Sequence, residues 1–258
     1  MPAALAPDNR STDAPSAGEA PVSLFVVIPA YNEAASIGAV LDALGSSLPG
    51  VQVVVVDDGS TDSTVSIARE RRAIVLPLAN HLGAWGATQA GIRFALRQGG
   101  DTVVTMDADG QHRAADIPKL LEPLASGCAD VAIGTFTARG SPMRQVAWRL
   151  LRASSGIRLE DLTSGFRAYN RSACSALAGW RASLLNYQDI GVLTLLLGEG
   201  LRVVDVDVQM EPRHSGHSRV FHTWPSVAYY MVHTLLLGLS KRRLRSYRGA
   251  GRIAVDRP

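Results

Sequence analysis

The sequence has few cysteines and no apolar run long enough to span a membrane. Cys128 and Cys174 are its only cysteines among 258 residues, and they lie far apart without other metal ligands at suitable spacing. We therefore exclude a disulfide scaffold and expect two free, buried thiols in a reducing compartment. The apolar block Val227–Leu239 has 13 residues. A spanning helix needs about 20, so this block predicts either a core helix or an interfacial one.

The first 21 residues lack the pattern of a secretory signal. They have no basic start and no apolar centre, and they hold four of the 13 prolines among Ala, Ser and Asp. We therefore expect no signal peptide there. This composition predicts a disordered leader without chemistry of its own.

The near-neutral total charge of +3 hides an uneven distribution along the chain. Residues Lys241 to Pro258 contain seven basic side chains and one acid, a net charge of +6. The first 240 residues contain 19 basic and 22 acidic residues, a net charge of −3. A mildly acidic body argues against a nucleic-acid-binding protein, in which positive charge would line a groove or a face. The basic C-terminal segment instead predicts contact with an anionic partner.

Short β-branched runs alternate with helical segments over the first half of the chain. The predicted strands are Leu24–Ile28, Val51–Val56, Ile74–Leu76, Thr102–Met106 and Asp130–Gly134. Apolar strands that alternate with helices predict an α/β fold with a doubly wound, mostly parallel sheet and helices on both faces. Beyond Gly134 we expect three helical segments, Met143–Ala153, Arg171–Trp180 and Asp189–Gly198. We also expect a polar stretch, Glu160–Arg167, and one further strand, Arg202–Val208.

Three of the predicted strands are followed by polar clusters. The clusters are Tyr31-Asn-Glu33, Asp57-Asp58 and Asp107-Ala-Asp109. Ligands of doubly wound sheets bind at the carboxyl ends of the strands. We therefore expect all three clusters to open onto one edge of the sheet.

Asp107 and Asp109 are the candidate metal ligands. If the strand extends through them, residues i and i+2 share a face and the two carboxylates converge. Hard oxygen ligands suit Mg²⁺ or Mn²⁺, which also bind the phosphates of substrates. Gln111 adds a neutral oxygen, and His112 is adjacent. The alternative is a capped turn before a helix that begins near Asp116.

Asp57 and Asp58 are candidates for hydrogen bonds to a base or a ribose. Alternatively, the polar residues Ser60, Thr61 and Asp62 cap the helix that follows them.

A second candidate for substrate contact is a series of three glycines. Gly83, Gly86 and Gly91 do not have the Gly-x-Gly-x-x-Gly spacing of dinucleotide-binding folds. They either let the backbone approach a diphosphate or permit close helix packing.

Four motifs occur in order along the first 111 residues. They are Val27-Ile-Pro-Ala-Tyr-Asn-Glu33, Val54-Val-Val-Asp-Asp-Gly-Ser-Thr-Asp62, Asn80-His-Leu-Gly-Ala-Trp-Gly-Ala87 and Met106-Asp-Ala-Asp-Gly-Gln111. Together they resemble the motifs of the inverting glycosyltransferases of family 2, which have the GT-A fold. The resemblance covers about residues 23–220.

Two later segments narrow the resemblance to one subgroup. Asp161-Leu-Thr-Ser-Gly-Phe-Arg167 and Arg213-His-Ser-Gly-His-Ser-Arg219 are similar to segments of dolichyl-phosphate mannosyltransferases and bacterial polyprenyl-phosphate glycosyltransferases. Arg219 stands where this subgroup usually has lysine. Both residues attract phosphate, but arginine presents a planar fork rather than a point charge.

The resemblance implies a role for each matching residue. Those that would line a UDP- or GDP-sugar donor are Pro29, Tyr31, Glu33, Asp58 and Gly83, with Asp107 also near its diphosphate. Mg²⁺ or Mn²⁺ would be held by Asp107, Asp109 and Gln111. The implied catalytic residues are Asp161, as a base or positioning group near the acceptor, and Arg213 and Arg219, which would fix the phosphate of a polyprenyl phosphate acceptor.

A polyprenyl acceptor implies an enzyme that acts peripherally at the cytoplasmic face of a membrane. We divide the chain into a leader (1–21), a GT-A domain (22–222) and a C-terminal segment (223–258). We expect Val227–Leu239 and the basic run Lys241–Arg252 to contact an anionic membrane surface. The alternative is a core helix followed by a solvated tail.

Three other functions are weighed against this one. A family-2 enzyme with a sugar hydroxyl as its acceptor would need a base such as Asp161 but not the positive loop Arg213–Arg219. A nucleotidyltransferase would need a glycine-rich triphosphate loop near the N-terminus, which is not found. A non-catalytic protein that binds nucleotide sugars would not need both Asp107 and Asp109.

Overall fold

The computed structural model describes residues 23–136, 164–185 and 190–211. The predicted helix Met143–Ala153, the leader 1–21 and the C-terminal segment 223–258 lie outside the described residues. Within them, no helix combines the length and the apolar character that crossing a bilayer requires.

The described residues form seven strands, seven α-helices and one short 3₁₀ helix, Ala114–Asp116. The strands are β1 (Leu24–Ala30), β2 (Gln52–Asp57), β3 (Ile74–Pro77), β4 (Thr102–Thr105), β5 (Val131–Thr135), β6 (Arg167–Asn170) and β7 (Val203–Asp207). The helices are α1 (Ile37–Ser47), α2 (Thr64–Glu70), α3 (Gly83–Arg97), α4 (Ile117–Ala125), α5 (Arg171–Ala178), α6 (Trp180–Ser183) and α7 (Ile190–Gly198). Every predicted strand is confirmed, with small shifts of its ends.

The seven strands form one sheet in the order β3-β2-β1-β4-β6-β5-β7. All neighbouring strands are parallel except the pairs that involve β6, which is antiparallel to both β4 and β5. The prediction of a mostly parallel sheet is confirmed. The antiparallel strand in its interior is not apparent from the sequence.

Strand β6 corrects the interpretation of Arg167 as the end of a polar stretch. Arg167 is completely buried, and its Nε donates a hydrogen bond of 2.8 Å to the carbonyl of Ser164. The strand has four residues, Arg-Ala-Tyr-Asn, of which only Tyr169 is typical of β-structure. Its identity as a strand depends on pairing with two neighbours, which local pattern does not reveal.

Helices cover both faces of the sheet, as predicted. On one face, Phe25 and Val27 of β1 pack in a core with residues of α3, α5 and α7. On the other face, Val26 and Ile28 pack with residues of α1 and α4. All four side chains are completely buried, and burial of such a side chain contributes about 1.5–3 kcal/mol. The continuous apolar run of β1 is therefore explained by two apolar layers.

The two cysteines differ in their surroundings. Cys174 is buried, and burial raises the pKa of its thiol to about 12. Cys128 is exposed in the turn after α4, so the expectation that both thiols are buried is wrong for Cys128. Cys128 lies in a short turn between α4 and β5, outside the two apolar layers that cover the sheet.

Strands β1, β2 and β4 end at the same edge of the sheet, here called the carboxyl edge. Ala30 at the end of β1 aligns with Asp57 at the end of β2. Just beyond β4, the amide of Met106 donates a hydrogen bond of 3.1 Å to the carbonyl of Val27. The prediction that the three polar clusters share one edge is confirmed.

Candidate active site

At the carboxyl edge, the loop after β1 is hydrogen-bonded to the loop after β2. Asn32 adopts a left-handed backbone conformation with φ of 53°, and its amide donates to Oγ of Ser60 over 2.9 Å. Its side-chain Oδ1 accepts hydrogen bonds from the amides of Thr61 (2.7 Å) and Asp62 (3.3 Å). One asparagine thereby fixes the relative position of the two loops.

Further bonds join the loop after β1 to Asp62 and to Thr64, the first residue of α2. The amide of Glu33 donates to Oγ1 of Thr64 over 2.8 Å, and the amide of Ala34 donates to Oδ2 of Asp62 over 3.1 Å. Burial raises the pKa of the Asp62 carboxyl, but hydrogen bonds from Thr64 and Ala34 outweigh it and hold this pKa below its ordinary value. The Asp62 bridge therefore contributes stability above the ordinary pKa of Asp and loses it as pH falls through the lowered pKa.

These bonds decide between the two roles considered for the polar residues after β2, contact with the neighbouring loop or capping of α2. The N-cap of α2 is Ser63, and its side chain makes no capping hydrogen bond. Ser60 and Thr61 instead bond to the loop after β1. Asp62 does both, because its Oδ2 accepts from the amide of Ala34 and its Oδ1 accepts a hydrogen bond of 2.9 Å from the amide of Thr64, the first residue of α2. Cross-loop bonds of this kind are invisible in the sequence, since the same residue types favour both arrangements.

Tyr31, Asp58 and His81 form a cluster beside these loops. The Asp58 carboxylate is buried; its Oδ1 accepts a hydrogen bond of 2.7 Å from the amide of Leu82, and its Oδ2 lies 3.0 Å from Nδ1 of His81. The rings of Tyr31 and His81 are 4.6 Å apart. Tyr31 is exposed, so the cluster combines an accessible aromatic surface with a buried carboxylate, which suits a planar base.

The glycines of α3 have different environments. Gly83 is the first residue of the helix, has φ of +75° and has open space where a Cβ would lie. A Cβ at Gly91 would come within 2.3 Å of Val27, so Gly91 is required for packing of the helix on β1. Of the series, Gly83 lies at the carboxyl edge, next to the Leu82 amide that binds Asp58. Pro29 is half-buried near the end of β1, shortly before Tyr31.

Asp107, Asp109 and Gln111 lie on the turn after β4. The strand ends at Thr105, one residue before the predicted end, so the condition that the strand extends through both carboxylates is not met. The Asp107 side chain is half-exposed, whereas Asp109 is buried and its Oδ1 accepts a hydrogen bond of 3.1 Å from the amide of Gln111. Gly110 has φ of +78°, a conformation that glycine adopts without strain and that turns the chain back between Asp109 and Gln111.

Two further residues contact Asp107. The amide of Asp107 donates a hydrogen bond of 3.1 Å to Nδ1 of His112, whose ring stacks on Phe166 with centroids 4.9 Å apart. A Cβ atom at Gly165 would lie 2.6 Å from Oδ1 of Asp107. Gly165 belongs to the segment Asp161–Arg167, of which the structure describes residues 164–167, and it lies against the turn after β4.

The arrangement suits a hard cation that is shared with a ligand. Among residues 23–136, 164–185 and 190–211, no group of three His, Cys, Asp or Glu residues is placed to hold a metal ion. The oxygen donors on the turn, Asp107, Asp109 and Gln111, fit Mg²⁺ or Mn²⁺, which keep waters and complete their coordination with substrate phosphates. The carboxylate of Asp107 is half-exposed and therefore accessible to a cation that also binds a substrate phosphate.

Not every predicted site residue can be placed. Asp161, Arg213 and Arg219 lie outside the described residues. Conversely, His81, His112 and Gly165 contact site residues although no role was predicted for them. His81 and Gly165 stand inside quoted motifs and His112 follows one, so position within a motif was the available signal, but their contacts depend on the fold.

Comparison with known proteins identifies a family model for most of this region. The model for glycosyl transferase family 2 matches residues 25–178, more than half of the chain. The match contains all the strands and loops that form the carboxyl edge described above.

Two relatives align over most of their length. A polyprenol monophosphomannose synthase of Mycolicibacterium smegmatis is 30% identical over 227 residues, covering 79% of this chain and 85% of the relative. An undecaprenyl-phosphate mannosyltransferase of Micrococcus luteus is 33% identical over 215 residues, covering 76% of this chain and 87% of the relative.

A solved structure shares the fold. Glucosyl-3-phosphoglycerate synthase of Mycobacterium tuberculosis, in complex with Mn²⁺, UDP-glucose and phosphoglyceric acid, superposes with a TM-score of 0.67 at 24% identity. The superposition covers 85% of this chain and 80% of the other.

Proposed function

Since the chain belongs to glycosyl transferase family 2 and is a glycosyltransferase, we propose that it transfers a hexose to a polyprenyl phosphate at a membrane surface. The donor is a nucleotide-diphosphate sugar, with UDP or GDP as the nucleotide. Two relatives named for transfer to polyprenol or undecaprenyl phosphate support this acceptor. A solved neighbour that binds Mn²⁺ and UDP-glucose supports the donor class and the metal.

One observation carries the proposal: Gly165 lies against the carboxylate of Asp107. Gly165 belongs to the segment that resembles the acceptor region of polyprenyl-phosphate enzymes, and Asp107 is the proposed metal ligand. Tyr31 and Asp58 lie at the same edge of the sheet. The proposed donor residues and the proposed metal ligand Asp107 thus lie at one edge of the sheet, and Gly165 of the acceptor-like segment lies against Asp107.

We assign the donor to the cluster of Tyr31, Asp58 and His81. The ring of Tyr31 provides a face for the base, and the buried Asp58 carboxylate provides a hydrogen-bond acceptor in the same cluster. Gly83 leaves space for the diphosphate at the start of α3, where helical amide groups favour an anion. Glu33 and Pro29 complete this side of the proposed site.

Asp107, Asp109 and Gln111 would hold Mg²⁺ or Mn²⁺. When bound, such an ion stabilises the negative charge that develops on the departing nucleoside diphosphate. In the reaction, an oxygen of the acceptor phosphate forms a bond to the anomeric carbon, and the bond from that carbon to the donor diphosphate breaks. Direct displacement inverts the anomeric centre, so an α-linked donor gives a β-linked product.

The acceptor residues of the proposal are Asp161, Arg213 and Arg219. A phosphomonoester has a second pKa near 6, so most of it is already dianionic at neutral pH and scarcely needs a base. We therefore assign Asp161 a role in orienting the acceptor, and the two arginines a role in binding its phosphate.

A donor screen tests the proposed reaction. Labelled GDP-mannose, UDP-glucose and UDP-N-acetylglucosamine are each incubated with the protein, undecaprenyl phosphate and Mg²⁺ or Mn²⁺, and lipid-soluble label is counted. We expect one donor to label the lipid and chelation by EDTA to abolish the signal. Hydrolysis of every donor without any labelled lipid would contradict the proposal.

We further propose that the C-terminal segment contacts an anionic membrane at the cytoplasmic face. Val227–Leu239 is apolar, and the last 18 residues of the chain carry a net charge of +6. Each basic residue near an anionic surface contributes about 1 kcal/mol to membrane binding. The uneven charge of the chain would thereby direct one end of the molecule to the lipid that contains the acceptor.

Vesicle flotation tests this contact. The full chain, a chain that ends at Ser240 and a full-length variant with Lys241, Arg242 and Arg243 replaced by glutamine are floated with phosphatidylglycerol vesicles. We expect salt-sensitive binding of the full chain and weaker binding of both variants. Equal, salt-insensitive binding of all three would exclude the basic segment from membrane contact.

A further inference from the structure

We infer that His112 is a positioning residue that holds Asp107 in the orientation needed to bind a divalent cation. The inference deepens the proposed function and rests on it, because it takes Asp107 as a metal ligand. It assigns to His112 a role that acts through Asp107 and involves no contact with substrate.

The contacts of the imidazole ring define which nitrogen carries the proton. The amide of Asp107 donates to Nδ1 of His112 over 3.1 Å, so Nδ1 acts as an acceptor and the neutral ring has its proton on Nε2. Nε2 lies 3.8 Å from Oδ2 of the same aspartate. One ring therefore accepts a hydrogen bond from the backbone of Asp107 and also places its Nε2 within 3.8 Å of the carboxylate of that residue.

The ring itself is fixed from two directions. Its side chain is only 2% exposed and stacks on Phe166 at an interplanar angle of 12°. The backbone of His112 pairs with Met210 in an antiparallel bridge, and the carbonyl of the preceding Gln111 accepts a hydrogen bond of 2.9 Å from the amide of Glu211. The turn after β4 is thus attached to the chain beyond β7.

The other side of the carboxylate is limited by Gly165, where a Cβ would lie 2.6 Å from Oδ1. Asp107 is therefore confined between His112, which faces Oδ2, and Gly165, which faces Oδ1. A phenylalanine at position 112 would preserve the aromatic stack but offer neither an acceptor nor an N–H group. Outer residues that orient metal ligands typically change metal affinity by about 10–100-fold when they are replaced.

Three variants and a control separate this role from a purely structural one. His112→Phe removes both nitrogens, His112→Asn keeps an acceptor near the position of Nδ1, and His112→Gln places its amide group near the position of Nε2. Cys174→Ala is the control, because it removes a buried side chain in the other apolar layer. Mn²⁺ binding is measured by electron paramagnetic resonance with GDP and again with UDP, beside the unfolding temperature without metal and the kcat and KM for Mn²⁺.

We expect His112→Phe to weaken Mn²⁺ binding by about 10–100-fold and to raise the KM for Mn²⁺. His112→Asn should recover most of the affinity and bind more tightly than His112→Gln, and Cys174→Ala should bind as wild type.

Wild-type affinity in His112→Phe would overturn the inference and leave the proposed function intact. If His112→Phe does not fold, equal affinity of the Asn and Gln variants would overturn it. Absence of Mn²⁺ binding by the wild type with either nucleotide would overturn the proposed metal site together with this inference.

Discussion

Replacement of Asp107 by asparagine should lower kcat by about 10²–10³-fold, the loss expected when one preorganised electrostatic group is removed from a reacting site. The side chain of Asp107 is half-exposed at the carboxyl edge, and the backbone amide of Asp107 donates a hydrogen bond to Nδ1 of His112. Asparagine keeps the size of the side chain and its fit against Gly165 but removes its negative charge. The variant should therefore fold as wild type while losing affinity for the cation. Asp107→Ala, which removes both carboxylate oxygens, should abolish turnover.

Initial rates at a series of Mg²⁺ concentrations, with circular dichroism as a test of folding, check this prediction. The matched control is Asp101→Asn, which removes an exposed carboxylate that pairs with Arg171 at the opposite edge of the sheet. Such surface pairs contribute about 0–1 kcal/mol, so the control should retain wild-type activity. Unchanged activity in Asp107→Asn would remove Asp107 from the proposed metal site.

The second large effect is expected from Gly165→Ala, a change of one methyl group. Its Cβ would lie 2.6 Å from Oδ1 and 3.1 Å from Cγ of Asp107, which is closer than such atoms approach. The carbonyl of Gly165 accepts a hydrogen bond of 2.8 Å from the Thr105 hydroxyl, which holds the backbone in place. The flexible carboxylate of Asp107 must therefore move away from its position.

Because the displaced group is the end of a side chain, the variant should fold with little loss of stability. A displacement of about 1 Å at a reacting site can cost about 100-fold in rate, and we expect a loss of that order with a raised KM for Mg²⁺. Gly45→Ala is the control, since a Cβ there would meet no atom within 4 Å. Wild-type kinetics in Gly165→Ala would show that Asp107 does not need its position beside this glycine.

The fold was largely predictable because its strands are apolar on both faces. Val26 and Val27 point into different layers, yet both are completely buried, and that continuous pattern is typical of a parallel sheet. Strand β6 was not predictable for the opposite reason. It has four residues and contains a buried arginine, so its strand conformation results from neighbours distant in sequence.

The location of the candidate site was predictable, but its internal contacts were not. The polar clusters after β1, β2 and β4 indicated the carboxyl edge, since parallel strands end together. The close approach of Gly165 to Asp107 joins residues far apart in sequence, and the bond from Asp107 to His112 depends on how the turn closes. The predicted strand Thr102–Met106 agrees with the structure to within one residue, but the spacing of Asp107 and Asp109 does not reveal how the turn after it folds.

The most direct test of the central claim compares two lipids that differ only in their phosphate. Purified protein is incubated with Mg²⁺ or Mn²⁺, a labelled nucleotide sugar and either undecaprenyl phosphate or undecaprenol, and lipid-soluble label is measured. The account predicts labelled lipid with undecaprenyl phosphate alone, in the inverted anomeric configuration, and none when EDTA is present. Equal transfer to undecaprenol, or transfer only to a sugar hydroxyl, would contradict it.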